Sequence, residues 1–229
     1  MVDNPASHET YSKVIEPAGK QLGVDTKVFY VPAQSDWTVQ AATVLAWKPD
    51  AIAGYIAGDA LAALPAFRTA GFDGYFTAGS NVEIIPQLDP SVLKKVIFNS
   101  PYWVPDFTNI PSEVRPDIDA FNAYGKSDMG KTSSITQRQN GFYDALITAQ
   151  VLTSLDKTTD PLTPQAVRTG LATSKGDREP FRTNGWDCSM PSWPKTTACG
   201  TGGINSSPNE KGVLVPLPGQ PVDISALLP

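Results

Sequence analysis

Three features of the sequence could carry chemistry: a phosphate-loop pattern, a single histidine and a pair of cysteines. The pattern G-x-x-x-x-G-K-[ST] spans Gly125–Thr132. Such a loop wraps a phosphate with backbone N–H groups, while its lysine and hydroxyl serve the phosphates and Mg²⁺. This chemistry needs a buried strand immediately before the first glycine. Because Ile118, Phe121 and Tyr124 stand there at helical spacing, a loop between two helices is favoured, and nucleotide binding is the alternative function.

Acid–base and metal chemistry have few candidate groups. His8 is the only histidine and stands between Ser7 and Glu9 near a predicted helix start, where an exposed polar residue is ordinary. The sequence has no G-x-S-x-G elbow for a serine nucleophile and no carboxylate pair that stands out by its spacing. It also lacks a cluster of metal-ligand residues. We therefore expect no catalysis, no metal and no cofactor.

Cys188 and Cys199 lie in a segment rich in proline and glycine. They form no Cys-x-x-Cys motif, and four zinc ligands are not available near them. A structural disulfide that closes a small loop is favoured, and two unpaired buried thiols are the other interpretation. Since disulfides persist in oxidising compartments, the pair indicates a location outside the cytoplasm.

The composition excludes nucleic acid as an expected partner. The 229 residues include 18 basic and 23 acidic ones, giving a formal charge of −5, and the basic residues form no stripe that could follow a phosphate backbone. No apolar run approaches the ~20 residues that a membrane helix needs. Residues 1–5 show neither the basic nor the apolar region of a signal peptide.

Strand-like and helix-like segments alternate between residues 26 and 82. Strands are predicted over Thr26–Val31, Ala51–Ile56 and Gly74–Thr77, with helices that begin at Asp36 and Asp59 between them. This order is typical of a parallel sheet with crossover helices, so the predicted fold class is α/β. The remaining predicted elements are a helix after Asn4-Pro5, a strand over Val96–Ser100, helices around 116–124, 133–155 and 163–172, and a tail of loops and edge strands from Lys175.

Ligands of open parallel sheets bind at the carboxyl ends of the strands. The helix N-termini in these loops favour an anion or a carboxylate. Asp36 is predicted to act only as a helix cap, whereas Ser7, Asp59 and Ser80 are predicted to contact a ligand. The loops at this end are Gln34–Asp36, Ala57–Asp59 and Ala78–Asn81, with the Asn4–His8 turn as a fourth if a strand precedes it.

Four stretches of the sequence resemble one family in order and spacing: Phe29-Tyr30, Asp36-Trp37, Lys48–Ala53 and Ala66–Gly71. The family is the type I periplasmic binding proteins, in the branched-chain amino-acid receptor-like branch that serves ABC importers. Phe142–Leu146 resembles its Y-D-A helix, and the segment around the two cysteines is similar to C-terminal loops of some members. The resemblance implies two α/β lobes that close on a small solute and deliver it, without catalysis, to a membrane permease outside the cytoplasm.

Carried over by position, the resemblance also implies the ligand contacts. Where the amino-acid receptors carry an acidic residue this chain has Ser80, and where they carry an aromatic residue it has Ile56, with Tyr55 pointing to the other face. These departures argue against a plain α-amino acid, and the expected ligand is a small polar solute, amino-acid-like or related. The implied ligand-binding residues are Ser7, His8, Tyr55, Ile56, Ala57, Gly58, Asp59, Ser80 and Asn81.

Members of this family are nearly twice as long, so the resemblance implies that the first lobe is largely missing. Residues 1–102 would form the second lobe, residues 103–185 a helical segment that returns to the first lobe, and residues 186–229 the disulfide loop and C-terminal edge strands. The apolar face of the helix over 133–155 would then be exposed, with the missing lobe or a second copy as partner. The chain would supply about half of a binding site, or would be a degenerate fragment with a structural role.

Overall fold

A computed structural model describes residues 1, 5–32, 35–54, 60–80, 82–125, 135–156, 163–189, 199 and 202–223. The chain divides into two compact units. The first unit consists of Met1–Asn99 and Ser207–Gly212, and the second of Ser100–Ser206 and Val213–Pro229. The backbone therefore passes from one unit to the other three times, after residues 99, 206 and 212.

Local signals set the helices of the first unit. Helix α1 (Pro5–Gln21) begins with a proline, α2 is Trp37–Leu45 and α3 is Ala60–Thr69. Asp36 caps α2 by accepting the backbone N–H of Thr38 at 2.9 Å, so its predicted role as a cap is confirmed. Gly71, just beyond α3, has a φ of +89°, a conformation that favours glycine at the end of a helix.

Three parallel strands form the sheet of the first unit, and the predicted α/β class is confirmed. They are β1 (Ala51–Ala53), β2 (Tyr75–Thr77) and β3 (Val96–Ser100), and Ser100 belongs to the second unit. Phe76 of β2 pairs with Ile52 on one side and with Val96 on the other. Phe67 of α3 and Phe76 are fully buried, with their ring centroids 5.7 Å apart, so helix and sheet share one aromatic core.

The strand predicted over Thr26–Val31 does not form; within it, only Tyr30 makes an isolated bridge. Side chains of α1 hold this extended segment instead. The Glu16 carboxylate accepts the Val28 N–H at 2.8 Å, and His8 Nε2 lies 3.3 Å from the Val28 carbonyl oxygen. The prediction was wrong because a strand forms only where a neighbouring strand makes its backbone hydrogen bonds. Here side chains of α1 make the hydrogen bonds of the Val28 backbone instead.

The second unit contains three helices and several short strands. The helices are α4 (Arg115–Ala120), which continues as a π-helical turn over Phe121–Gly125, α5 (Ile135–Asp156) and α6 (Pro164–Thr173). None of the helices in the described ranges has both the length and the apolarity needed to cross a bilayer. The strands are β4 (Lys175–Gly176), β5 (Trp186–Asp187), β6 (Gly202–Pro208, which ends in the first unit), β7 (Leu214–Pro216) and β8 (Val222–Asp223).

An aromatic cluster forms the core of the second unit. Phe181 is fully buried, and its ring centroid lies 6.0 to 6.2 Å from those of Tyr102, Phe121 and Phe142. Phe142 belongs to the face of α5 that was expected to be exposed, so residues of this chain cover part of that face. Ala145, on the same face, is exposed.

Candidate functional site

Strands β1 and β2 end together at one side of the sheet, which we call the carboxyl edge (residues 53–54 and 77–80). The parallel register places Ala53 beside Thr77, and the Gly54 N–H donates to the Thr77 carbonyl at 3.0 Å. The Met1 amino group donates to the Ala53 carbonyl at 2.6 Å. Met1 therefore lies beside the end of β1.

The backbone of the carboxyl edge depends on two glycines. A Cβ on Gly54 would lie 3.2 Å from a ring atom of Phe76, so a side chain is disfavoured there. Gly79 has a φ of +60°, and its carbonyl accepts the N–H of Asn99 at 2.8 Å. The turn after β2 is thereby fastened to β3, and it presents Ser80 directly after the strand end.

Two predicted ligand-binding residues have described side chains. Ser80 is half-buried, and its carbonyl accepts the Val82 N–H at 2.8 Å. His8 is half-buried against the extended segment of residues 24–31, with its ring centroid 6.1 Å from that of Tyr30. Because His8 Nε2 faces the Val28 carbonyl, the imidazole braces this segment. Contact of Ser80 or His8 with a ligand stays a prediction.

The other predicted contacts fall partly or wholly outside the described residues. Ser7 lies near the start of α1, and only its backbone is described. The loop from residue 55 to residue 59 begins after Gly54 at the carboxyl edge and ends where α3 starts at Ala60. The predicted contacts outside the described residues are Tyr55, Ile56, Ala57, Gly58, Asp59 and Asn81.

The charge of the carboxyl edge comes from few groups. Residues 53–54 and 77–80 have no ionisable side chain, and among residues 5–8 only His8 has one. Burial lowers the pKa of the Met1 amino group from its ordinary value of 8.0 to about 6. The first backbone N–H groups of α1 and their dipole favour a negative or polar group nearby. The described residues at this edge therefore offer hydrogen-bonding groups, and no acid–base pair is formed among them.

Sequence reasoning missed a polar cluster in the second unit. Both carboxylate oxygens of Asp117 pair with Arg178, and the carboxylate raises the pKa of that guanidinium. Glu179 accepts the Tyr143 hydroxyl and pairs with Arg182 at 2.7 Å. Burial and the Glu179 carboxylate raise the pKa of Tyr143 well above its ordinary range. These groups are paired with one another, so the cluster fastens residues 178–182 to α4 and α5.

The alternative nucleotide site lacks the local structure that it needs. Gly125 closes the π-helical turn that follows α4, so the residues before the motif are helical and not a strand. Residues 126–132 lie outside the described part of the chain. Among the residues that the structure does describe, no three His, Cys, Asp or Glu side chains are grouped to hold a metal ion.

The predicted disulfide is confirmed. The sulfur atoms of Cys188 and Cys199 are bonded, and their Cα atoms are 4.4 Å apart. The Cys188 N–H also donates to the Ser174 carbonyl at 2.8 Å, at the end of α6. The disulfide therefore ties Cys199 to Cys188, whose backbone is held at that helix end.

Comparison with protein families matches residues 2–190 to a model described as "periplasmic binding protein". This match extends over more than half of the chain. The chain belongs to the periplasmic binding protein family. The type I resemblance of its sequence motifs is thereby confirmed. No curated protein sequence matches this periplasmic binding protein chain.

Solved structures with the same fold are longer than this periplasmic binding protein chain. An extracellular ligand-binding receptor from Verminephrobacter eiseniae is 16% identical with a TM-score of 0.64, covering 93% of this chain and 58% of its own. A receptor from Rhodopseudomonas palustris HaA2 is 22% identical with a TM-score of 0.62, covering 91% and 59%. A branched-chain amino acid ABC transporter structure from Thermus thermophilus with bound valine is 14% identical with a TM-score of 0.64, covering 91% and 55%. At these identities the likeness shows the fold alone.

Proposed function

We propose that this chain binds a small polar solute, amino-acid-like or related, at the carboxyl edge of its parallel sheet and performs no catalysis. The observation that carries the proposal is the register of β1 and β2. It sets Ala53 beside Thr77, and the Met1 amino group reaches the Ala53 carbonyl. Three loops, each leading into a helix or a turn, therefore start at the carboxyl ends of these strands. Open parallel sheets bind their ligands at the carboxyl ends of the strands.

Family membership supports a solute-binding role over a catalytic one. A solved structure with this fold holds valine, which makes amino acids and their relatives the first ligands to test. Family membership also supports a location outside the cytoplasm and a membrane permease of an ABC importer as the partner. The disulfide fits that location, because disulfides persist in oxidising compartments. These roles belong to a protein longer than this chain, which spans 55–59% of the three solved structures above.

The experiment is ligand-observed NMR on the chain with a panel of amino acids, amides and aromatic acids, followed by thermal unfolding with each solute that binds. A solute at 100 times its Kd should stabilise the fold by about 2.7 kcal/mol. Ser80→Ala should weaken binding about tenfold because it removes a hydroxyl at the carboxyl edge. Ser91→Ala is the matched control, since Ser91 is exposed in the turn before the amino end of β3.

Three outcomes would contradict the proposal. One is the absence of binding by every member of the panel. Another is equal loss of affinity in the Ser80→Ala and Ser91→Ala chains. The third is stabilisation by ATP with Mg²⁺ that Lys131→Ala abolishes, which would support the alternative nucleotide site.

A further inference from the structure

Several buried polar atoms in the described part of the chain have no hydrogen-bond partner, and three of them belong to one cluster of side chains in the second unit. They are the hydroxyl oxygen of Tyr102, Oε2 of Glu179 and Nε of Arg182. Tyr102 is 3% exposed and Glu179 is 5% exposed, so neither side chain is open to solvent. Native proteins leave few buried polar groups unpaired, because each one costs free energy of folding. The cluster therefore needs a further hydrogen-bonding partner.

A chain of contacts joins these three residues. The Tyr102 ring stacks on the Tyr143 ring, with the centroids 5.6 Å apart. The Tyr143 hydroxyl donates to Glu179 Oε1, and Glu179 Oε2 lies 2.7 Å from Arg182 Nη1 without the geometry of a hydrogen bond. Burial and the Asp144 carboxylate raise the pKa of Tyr102, and the Arg182 guanidinium lowers it. The Tyr102 hydroxyl therefore lies within electrostatic range of Arg182.

The chemistry of the three atoms defines what could join them. The Arg182 Nε–H can only donate a hydrogen bond, a Glu179 carboxylate oxygen can only accept one, and the Tyr102 hydroxyl can do either. A single molecule bound to all three must therefore both accept and donate. The charges of Glu179 and Arg182 already oppose each other at 2.7 Å, so a charged occupant would bring an uncompensated charge into a buried place. A small neutral molecule with both donors and acceptors is required.

We propose that the second unit binds one internal water molecule between these three side chains. It accepts from Arg182 Nε, donates to Glu179 Oε2 and forms a hydrogen bond with the Tyr102 hydroxyl. Buried waters in proteins typically make about three hydrogen bonds to polar groups that lack other partners. The water links Tyr102 to the turn of residues 179–182, and this site does not depend on the solute proposed for the carboxyl edge.

The test uses the sign of a stability change. Tyr102→Phe keeps the ring and removes the hydroxyl. With the water in place, the variant loses a hydrogen bond and its Tm should fall by about 2–4 °C. Without the water, the variant removes a buried hydroxyl that has no partner, and its Tm should rise. Tyr75→Phe is the matched control, because Tyr75 is 53% exposed and its Tm should change much less.

A high-resolution crystal structure of the unaltered chain gives the direct measurement. It should show one ordered water within about 3.2 Å of the Tyr102 hydroxyl, Glu179 Oε2 and Arg182 Nε. A raised or unchanged Tm in Tyr102→Phe would overturn the proposal. So would a crystal structure in which the three atoms are paired directly with protein groups and no water lies between them. If the Tyr102→Phe chain does not fold, the crystal structure decides.

Discussion

The Asp117 carboxylate accepts the backbone N–H of Phe181 at 2.9 Å, across 64 positions of sequence. The same carboxylate is paired with the Arg178 guanidinium through both oxygens. The Phe181 carbonyl in turn accepts the Trp103 N–H at 2.9 Å. Phe181 is thereby held on both sides of its backbone, which explains how a bulky residue keeps a φ of +60°.

Replacing Asp117 by alanine should destabilise the chain by about 2–3 kcal/mol. The substitution leaves the Phe181 N–H and the partly buried Arg178 guanidinium without their acceptor. Urea unfolding followed by tryptophan fluorescence measures the change. Asp119→Ala is the matched control, because Asp119 is exposed in the same helix. Equal losses in the two variants would show that the carboxylate of Asp117 does not fasten residues 178–182.

At position 181, glycine should be less destabilising than alanine, the reverse of the usual order. Both substitutions remove a buried aromatic ring, which costs about 3–5 kcal/mol. Glycine also relieves the positive φ, which is worth about 1 kcal/mol. Phe121 is equally buried but has a φ of −61°, so there alanine should be the milder change. The free energies of unfolding of the four variants decide this, and the same order at both positions would refute it.

Arg68→Lys should destabilise the first unit by about 1–3 kcal/mol. The guanidinium donates to the carbonyls of Phe72 at 2.7 Å and Gly74 at 3.1 Å, and also to those of Val92 and Lys94. A lysine has three donors on one nitrogen and cannot reach four carbonyls. Thermal unfolding measures the loss. Arg115→Lys, which loses a single hydrogen bond to Ile110, should change Tm much less, and similar shifts in Tm would contradict the prediction.

Stability should rise between about pH 6 and pH 8 because of the Met1 amino group. Its pKa is about 6 in the folded chain and 8.0 unfolded, so the unfolded chain binds more protons in this window. The buried charge on this amino group therefore lowers the free energy of unfolding by its full amount below pH 6. Above pH 8 the group is neutral in both states and has no effect. The rise should be about 1–2 kcal/mol, because Met1 is only half-buried. Acetylation of the amino group should remove this rise in urea titrations, and an unchanged slope would contradict the assignment.

Local signals in the sequence predicted the helices well. Asp36 and Thr163 act as caps within one turn of their own helices: the Asp36 carboxylate accepts the Thr38 N–H at 2.9 Å, and the Thr163 hydroxyl oxygen accepts the Ala166 N–H at 3.1 Å. The position of Ser80 after β2 also followed from local order, because a strand and the turn after it are adjacent in sequence. Such features need no information from distant residues.

Features that depend on distant residues were not predictable. The segment of residues 26–31 is as apolar as a strand, but whether it pairs with another strand depends on the residues that pack beside it. In the folded chain the Glu16 carboxylate of α1 accepts the Val28 N–H. The ion pair of Asp117 with Arg178 joins positions 61 apart in the sequence. Nothing in the residues around Asp117 distinguishes it from the other acidic residues, of which the chain has 23 in all. The bracing of Val28 by His8 was missed for the same reason, since their contact is made only in the folded chain.

The backbone of Phe181 has a consequence for sequence variation among relatives. The position requires a large ring together with the conformational freedom of glycine, and no coded amino acid has both. Any single replacement loses either the large ring or the tolerance of a positive φ. Substitutions at position 181 should therefore be rare among relatives. We expect changes at position 181 to be accompanied by changes at Asp117 or Tyr102, so that these positions co-vary in an alignment of homologues.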